Sequence, residues 1–244
     1  MPDASLLKRL YAVVLLCWMS HVSYAQSASI RVLFRHMANG KPLVLRDSTY
    51  QNASGETYSV SRLKYYVSHV SLPGVISKME PEDYYLVDVA KEQYAFTLQA
   101  EAGTIRQLRF LLGVDSLANV SGAQTGALDP LNDMFWTWNS GYIFFKLEGE
   151  SPQSGADLHR IEHHLGGFRN GQAIATSIQL NLPAPLTLRA GEQKTLVIEM
   201  NLDAYWNGDA PISIRSIPLC MTPGPLTMQL AANFKQLFQI KTIE

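Results

Sequence analysis

Apolar and polar positions alternate with a period of two along most of this chain. Within residues 195–203, Leu196, Ile198, Met200 and Leu202 interleave with Val197, Glu199, Asn201 and Asp203. Such alternation predicts a strand with one face in the core and one in water. Residues 174–182 repeat the pattern, with Ile178, Leu180 and Leu182 on one side and Gln179 and Asn181 on the other. Further strands are predicted over 30–35, 65–72, 84–89, 108–114 and 142–148, all rich in β-branched and aromatic residues. Turn pairs separate them: Asn39-Gly40, Pro73-Gly74, Asn170-Gly171 and Asn207-Gly208. Many strands without alternating long helices predict an all-β fold, an antiparallel β-sandwich.

Two stretches depart from this rhythm. Leu226, Leu230, Phe234 and Leu237 recur at helical spacing and predict a short C-terminal helix. The other stretch is 129–140. Asp129 suits an N-cap and Pro130 the first helical position, and Leu131, Met134, Phe135 and Trp138 then share one helical stripe. A short helix is expected there, with Trp138 in the core and Trp136 off the stripe, free for another purpose.

The first residues read differently from the rest. Lys8 and Arg9 precede an apolar run over 10–19, and Ser23-Tyr24-Ala25 offers a small-x-small cleavage pattern. This predicts a signal peptide over 1–25, cleaved after Ala25, and a periplasmic or secreted protein. The run is shorter than the ~20 residues that a membrane span needs, and no later segment approaches that length, so no transmembrane segment is expected. Cys17 does not make a lipoprotein signal, because Leu16 stands where a small residue belongs. The mature chain, 26–244, is expected to form a single domain, as β proteins of this length commonly do.

Its charge is close to balanced, at −2 after the leader is removed, which argues against a nucleic-acid partner. Only Cys220 remains, so no intramolecular disulfide can form.

The mature chain has five histidines: His36, His69, His159, His163 and His164. In an exported protein with one thiol, imidazole is the natural ligand for copper or zinc. On a strand, His163 and His164 point to opposite faces. His163 shares its face with Ile161 and Leu165 and reads as a buried, hydrogen-bonded residue. His164 shares its face with Arg160 and Glu162, precedes Gly166-Gly167, and is the stronger ligand candidate. His36 ends the first strand, and His69 sits at the edge of another. The oxygen-rich stretch 115–133 lacks the spacing of a calcium loop and reads as turn and helix caps. No nucleophile elbow, phosphate loop or zinc-protease motif occurs, so a binding protein rather than an enzyme is expected.

The run Ala127-Leu128-Asp129-Pro130-Leu131-Asn132-Asp133-Met134-Phe135-Trp136-Thr137-Trp138-Asn139-Ser140-Gly141-Tyr142 carries a further signal. Together with Gly113-Val114-Asp115, Phe144-Phe145-Lys146-Leu147-Glu148, Arg62-Leu63-Lys64-Tyr65-Tyr66-Val67-Ser68 and His164-Leu165-Gly166, it resembles the MbnP-like copper-binding proteins. That family is related to the metallo-mystery-pair proteins and more distantly to MopE. The resemblance implies a periplasmic β-sandwich that binds copper for uptake, storage or delivery. It also implies a di-haem partner of the MauG/MbnH type that oxidises a tryptophan to kynurenine. Carried onto this chain, the family's metal ligand is His164, with His36 and His69 as candidates for further ligands, and the W-x-W pair is Trp136 and Trp138. Glu162 would then orient the ligating imidazole.

Two departures leave an alternative open. Many family members carry Asn-His where this chain has Asn119-Val120, and the cysteines that follow His-x-Gly in one branch are absent, with Phe168 in that neighbourhood. Either His36 or His69 replaces the lost imidazole, or the chain is a metal-free binding or assembly module that uses its aromatic cleft.

Overall fold

The structure, a computed structural model, describes residues 27–80, 83–137 and 140–244. The predicted signal peptide and Trp138 lie outside the described residues. Two sheets face each other as a sandwich. One contains β1 (Ser27–Ala38), β2 (Lys41–Pro42), β5 (Ser77–Glu80), β7 (Ala95–Glu101), β14 (Gln193–Asn201) and β16 (Phe238–Ile243). Their order is β16-β14-β1-β7-β5, with β2 paired to β1.

The other contains β3 (Thr49–Gln51), β4 (Thr57–Ser71), β6 (Tyr84–Asp88), β8 (Gly103–Leu112), β11 (Phe145–Glu150), β12 (Arg160–Leu165), β13 (Thr176–Leu188) and β15 (Leu219–Cys220). Here the order is β13-β8-β4-β11-β12-β15, with β3 and β6 both paired to β4. A separate ribbon joins β9 (Phe135–Thr137) to β10 (Gly141–Tyr142).

Every predicted strand overlaps an observed one, although 142–148 is split between β10 and β11 and 195–203 turns into a helix at Leu202, and the inward residues are those that the pattern selects. Ile30, Val32 and Phe34 of β1 are buried, as are Leu196, Ile198 and Met200 of β14 and Ile178, Leu180 and Leu182 of β13. Phe34 meets Tyr65, Phe110 and Phe238 edge-on, with ring centroids 5.8, 6.2 and 6.0 Å away. The contacts with Tyr65 and Phe110 join the two sheets, while Phe238 packs from the same sheet as Phe34. The pairing is mixed rather than purely antiparallel, since β1 runs parallel to β14 and β12 to β15. Parallel neighbours need a long crossover, and most of the chain lies between β1 and β14.

Alternation fails over residues 63–68 of β4, all of which are buried. Their inner side faces the core, and their outer side lies under the excursion 113–142. Tyr66 on that outer side donates its hydroxyl hydrogen to Ala127 O at 3.0 Å, and Ser68 donates to Gly113 O at 2.9 Å.

The helix expected within 129–140 does not form. Asp129 does cap, its Oδ1 accepting from Leu131 N at 2.8 Å, and Pro130 does open a turn. That turn is a single 3₁₀ turn, Pro130–Asn132, which stops at Asp133 in the left-handed region at φ 61°. Lysines from the sheet take the carbonyls of Asn132 and Asp133, so those groups cannot continue a helix. Leu131 is consequently 91% exposed while Met134 is fully buried, and Phe135 and Trp136 continue as a strand.

The C-terminal helix is present as Pro225–Ala231, followed by a 3₁₀ turn, Ala232–Gln236. Leu230, Phe234 and Leu237 are buried, whereas Leu226 stays partly exposed. Among the described residues, no helix is long and apolar enough to cross a membrane.

Truncating Phe34 to Ala should lower stability by about 3–5 kcal/mol, measured by urea denaturation. Leu131→Ala should change it by no more than about 0.5 kcal/mol, the ordinary effect of an exposed substitution.

Candidate functional site

Side chains that alternate outward on neighbouring strands line up across the sheet. On the outer face of the second sheet, His164 of β12 pairs across to Lys146 of β11, Lys146 to Lys64 of β4, and Lys64 to Asp88 of β6. The next row holds Glu162, Glu148 and Arg62. The excursion 113–142 covers these rows and is bonded to them.

Lys64 Nζ donates to Asn132 O at 3.0 Å and pairs with Asp88 Oδ2 at 3.0 Å. Lys146 Nζ donates to Asp133 O and pairs with Asp133 Oδ2 at 2.9 Å. Arg62 bridges Asp133 Oδ2 at 3.0 Å and Glu148 Oε2 at 3.2 Å.

The carboxylates respond to this cationic setting. Burial opposes the charge on Asp133, but Lys146, Arg62 and Lys64 outweigh it and hold the carboxyl below its ordinary range. Glu148 is also lowered, first by the hydrogen bond from His164, against burial and with help from Arg62.

His164 Nε2 is bonded to Glu148 Oε1 at 2.9 Å. An ionised carboxylate only accepts, so Nε2 carries the hydrogen and Nδ1 is the nitrogen left for any other partner. Glu162, expected to orient this imidazole, instead binds Arg160 at 3.0 Å. A diagonal neighbour on the adjacent strand, Glu148, takes its place, since cross-strand side chains approach as closely as residues two apart on one strand.

The other candidate ligands lie elsewhere. His36 faces the sandwich core rather than a surface turn. It is 8% exposed, and its Nε2 lies 3.0 Å from Tyr65 Oη. His69 sits at a break in the β4–β8 register, with φ 49° and a half-exposed side chain. Its Nε2 meets Asp115 Oδ2 at 2.8 Å, and Tyr84 Oη donates to that same oxygen. Burial opposes the Asp115 charge, yet Tyr84, His69 and the Ala118 amide bring its pKa down to about 2.

His69 stands five residues beyond Lys64 on β4, about 16 Å at ~3.3 Å per residue, and two strands away from His164. One ion cannot bridge that gap.

His163 is fully buried, as its face predicts. Its Nε2–H donates to Ile217 O at 2.8 Å, and its Nδ1 accepts from Tyr205 Oη at 2.7 Å. His159 lies in a loop, with Nδ1 3.1 Å from Ser154 O.

Among the described residues, no three His, Cys, Asp or Glu side chains converge as a metal site would require. His164 offers one nitrogen, Nδ1, and no trio of such side chains assembles around it among the described residues. This donor set does not fit a copper ion. The oxygens of 115–133 serve structural caps: Asp115 accepts from Ala118 N and Asp129 from Leu131 N.

The aromatic part of the site is held by glycines. A Cβ on Gly166 would lie 2.8 Å from the Trp136 ring and would run into Tyr142 O, so only glycine lets the indole lie over this strand end. The partly buried Trp136 therefore lies against the chain just past the end of β12, two residues beyond His164.

Gly141, at φ 79°, leaves room for Asn119 and Phe168. Asn119 is fully buried and fastens the excursion to the ribbon. Its Oδ1 accepts from Tyr142 N at 2.9 Å, and its Nδ2 donates to Val114 O at 2.9 Å and Asp115 O at 2.8 Å. Val120, where the resemblance expects histidine, is solvent-exposed.

Beyond Gly166 a recess of about 180 Å³ opens between Ser140, Gly167, Phe168, Arg169, Gln172 and Pro223. The Arg169 guanidinium lies 5.7 Å from the centre of the Phe168 ring, so the recess offers a cation and an aromatic face together. Sequence reading had missed Arg62, Lys64, Lys146, Asp133 and Glu148 as a group. Their outward alternation was visible, but their partners are set by sheet register.

Residues 27–222 match the family model for MbnP. The chain is also similar to the solved structure of MbnP from Methylosinus trichosporium, with 14% identity and a TM-score of 0.52. That similarity covers 89% of this chain and 98% of the other. Comparison with curated proteins finds no match.

Gly166→Ala should displace the Trp136 ring, giving a red-shifted tryptophan emission and a stability loss of about 1–3 kcal/mol.

Acid should weaken the fold through its buried imidazoles. Burial lowers both His36 and His163 to about 4, below the usual 6.5. The neutral folded forms therefore add stability above pH 6.5, and this is lost as pH falls from 6.5 through about 4. A loss on the order of 3 kcal/mol per imidazole is expected over that window, read from denaturation midpoints. His163→Gln should flatten the profile.

Proposed function

Because the chain belongs to the MbnP family, we propose that it is an exported binding protein of that family which takes a small ligand in the recess beside Trp136 and Gly166. The observation that carries this reading is the recess itself, a concave site walled by an aromatic ring, a guanidinium and backbone freed by glycines. Its volume lies below that of drug-sized pockets, which suits a compact ligand with an anionic group and a short apolar part. Binding rather than catalysis follows from the arrangement of the polar groups around it. Among the described residues, the charged side chains of the adjoining rows are engaged by other protein groups, which suits a holding role.

In this reading copper is not the ligand, since His36 and His69 lie away from His164 and no three candidate ligands converge among the described residues. The excursion and the ribbon act as a rigid frame for the recess. Asn119 and the two lysines hold that frame.

A second reading rests on one specific arrangement, the Trp136 indole lying over Gly166, two residues along the chain from His164. Oxidation of that indole to kynurenine by a di-haem partner of the MauG/MbnH type would add an amine and a ketone oxygen near an imidazole. Such a modified site would hold one copper for uptake, storage or delivery.

Two measurements on the mature protein, purified after export, separate the readings. The first reading expects no stoichiometric copper, an intact mass without the kynurenine increment, and indifference of metal content to His164→Ala. It also expects a co-purifying small molecule by native mass spectrometry that Phe168→Ala and Arg169→Ala release. About one copper per chain, lost in His164→Ala, would overturn it in favour of the second reading.

A further inference from the structure

The core holds a buried tyrosine with its own proton acceptor, joined to the surface by a file of aromatic rings. Tyr205 is fully buried, and its hydroxyl donates to His163 Nδ1 at 2.7 Å. On the far side of the imidazole, Nε2–H donates to Ile217 O at 2.8 Å. A proton arriving on Nδ1 would therefore make an imidazolium whose two N–H groups both already have acceptors.

The Tyr205 ring is centred 5.1 Å from Trp206, Trp206 is 5.1 Å from Tyr58, and Tyr58 is 5.7 Å from Tyr50. Tyr50 lines an open surface recess with Lys41, Pro42, Val44 and Asp47. Tyr50 is itself 6% exposed, so the file begins just beneath that recess, within electron-transfer reach of a dissolved molecule, and ends in the core.

Only the inner end has a base. The Tyr58 hydroxyl has no hydrogen-bond acceptor among the described residues, and the Tyr50 hydroxyl is bonded to the backbone of Val44. Oxidation of a phenol in an apolar setting is favourable only when its proton can leave, because the cation radical is strongly acidic and costly to bury. The rings along the file can pass a hole, but Tyr205 alone can keep it.

We propose that Tyr205 and His163 form a redox-active pair that stores one oxidising equivalent delivered through Tyr50, Tyr58 and Trp206. The co-reactant is a high-potential one-electron oxidant acting at the Tyr50 recess. It gains one electron, which leaves the aromatic file. The O–H bond of Tyr205 breaks, its proton forms an N–H bond at His163 Nδ1, and a neutral tyrosyl radical remains. An external one-electron reductant such as ascorbate returns the electron, and the proton moves back to the phenol. The burial of the pair keeps the radical from solvent and from other chains, so the fold acts as a reversible sink for oxidising equivalents. The proposal is independent of what occupies the recess beside Gly166, since His163 and His164 project from opposite faces of β12.

Photogenerated tris(bipyridine)ruthenium(III) supplies the oxidant in the test, with the mature protein read by transient absorption and electron paramagnetic resonance. A long-lived neutral tyrosyl radical is expected, formed more slowly in deuterium oxide because a proton moves with the electron. Tyr205→Phe, which keeps the ring packing, should lose that signal, and Trp206→Phe should slow its appearance. An undiminished signal in Tyr205→Phe, or formation without a solvent isotope effect in the unaltered protein, overturns the proposal.

Discussion

Two lysines side by side on neighbouring strands hold this molecule's outer layer in place. Lys64 and Lys146 are cross-strand partners beneath the excursion 113–142. Like charges placed side by side on adjacent strands repel one another. Asp88, Asp133 and Glu148 surround them, and the carbonyls of Asn132 and Asp133 accept from the two ammonium groups. The electrostatics therefore do two things at once. They make a buried cationic pair tolerable, and they stop a helix that local sequence would have begun.

The rest of the candidate site depends on that arrested turn. With the chain halted at Asp133, Met134 enters the core and Trp136 is carried to the strand end, where Gly166 leaves space for it. Asn119 fixes the opposite side of the excursion through its bonds to Tyr142, Val114 and Asp115. The aromatic recess is thus framed by a rigid outer layer, in which few polar groups remain to bind anything new. On the charged face, Glu148 holds the His164 imidazole, while Lys146 and Arg62 pair with the carboxylates around it.

The four histidines on strands illustrate how one residue type serves different ends in one fold. His164 lies on the charged outer face, His163 accepts a phenol hydrogen in the core, His36 faces another phenol, and His69 stands on a break in register. Counting them along the chain suggests a metal centre. Their faces and strands separate them into four unrelated environments.

Periodicity was sufficient for the strands, because alternation reports burial directly and each strand needs only its own residues to declare a face. That is why Ile30, Val32 and Phe34, or Ile178 and Leu180, were legible from the chain alone, as were the opposed faces of His163 and His164 and the run linking the chain to its family. The short helix expected over 129–140 was not legible. Its fate was decided by Lys64 and Lys146, which are distant in sequence and become its neighbours only when β4 and β11 pair. The same holds for Glu148 rather than Glu162 beside His164, and for the separation of His36 and His69 from it. Side-chain type and spacing determine which surface a residue favours, whereas strand register and the crossing of sheets decide which surfaces meet.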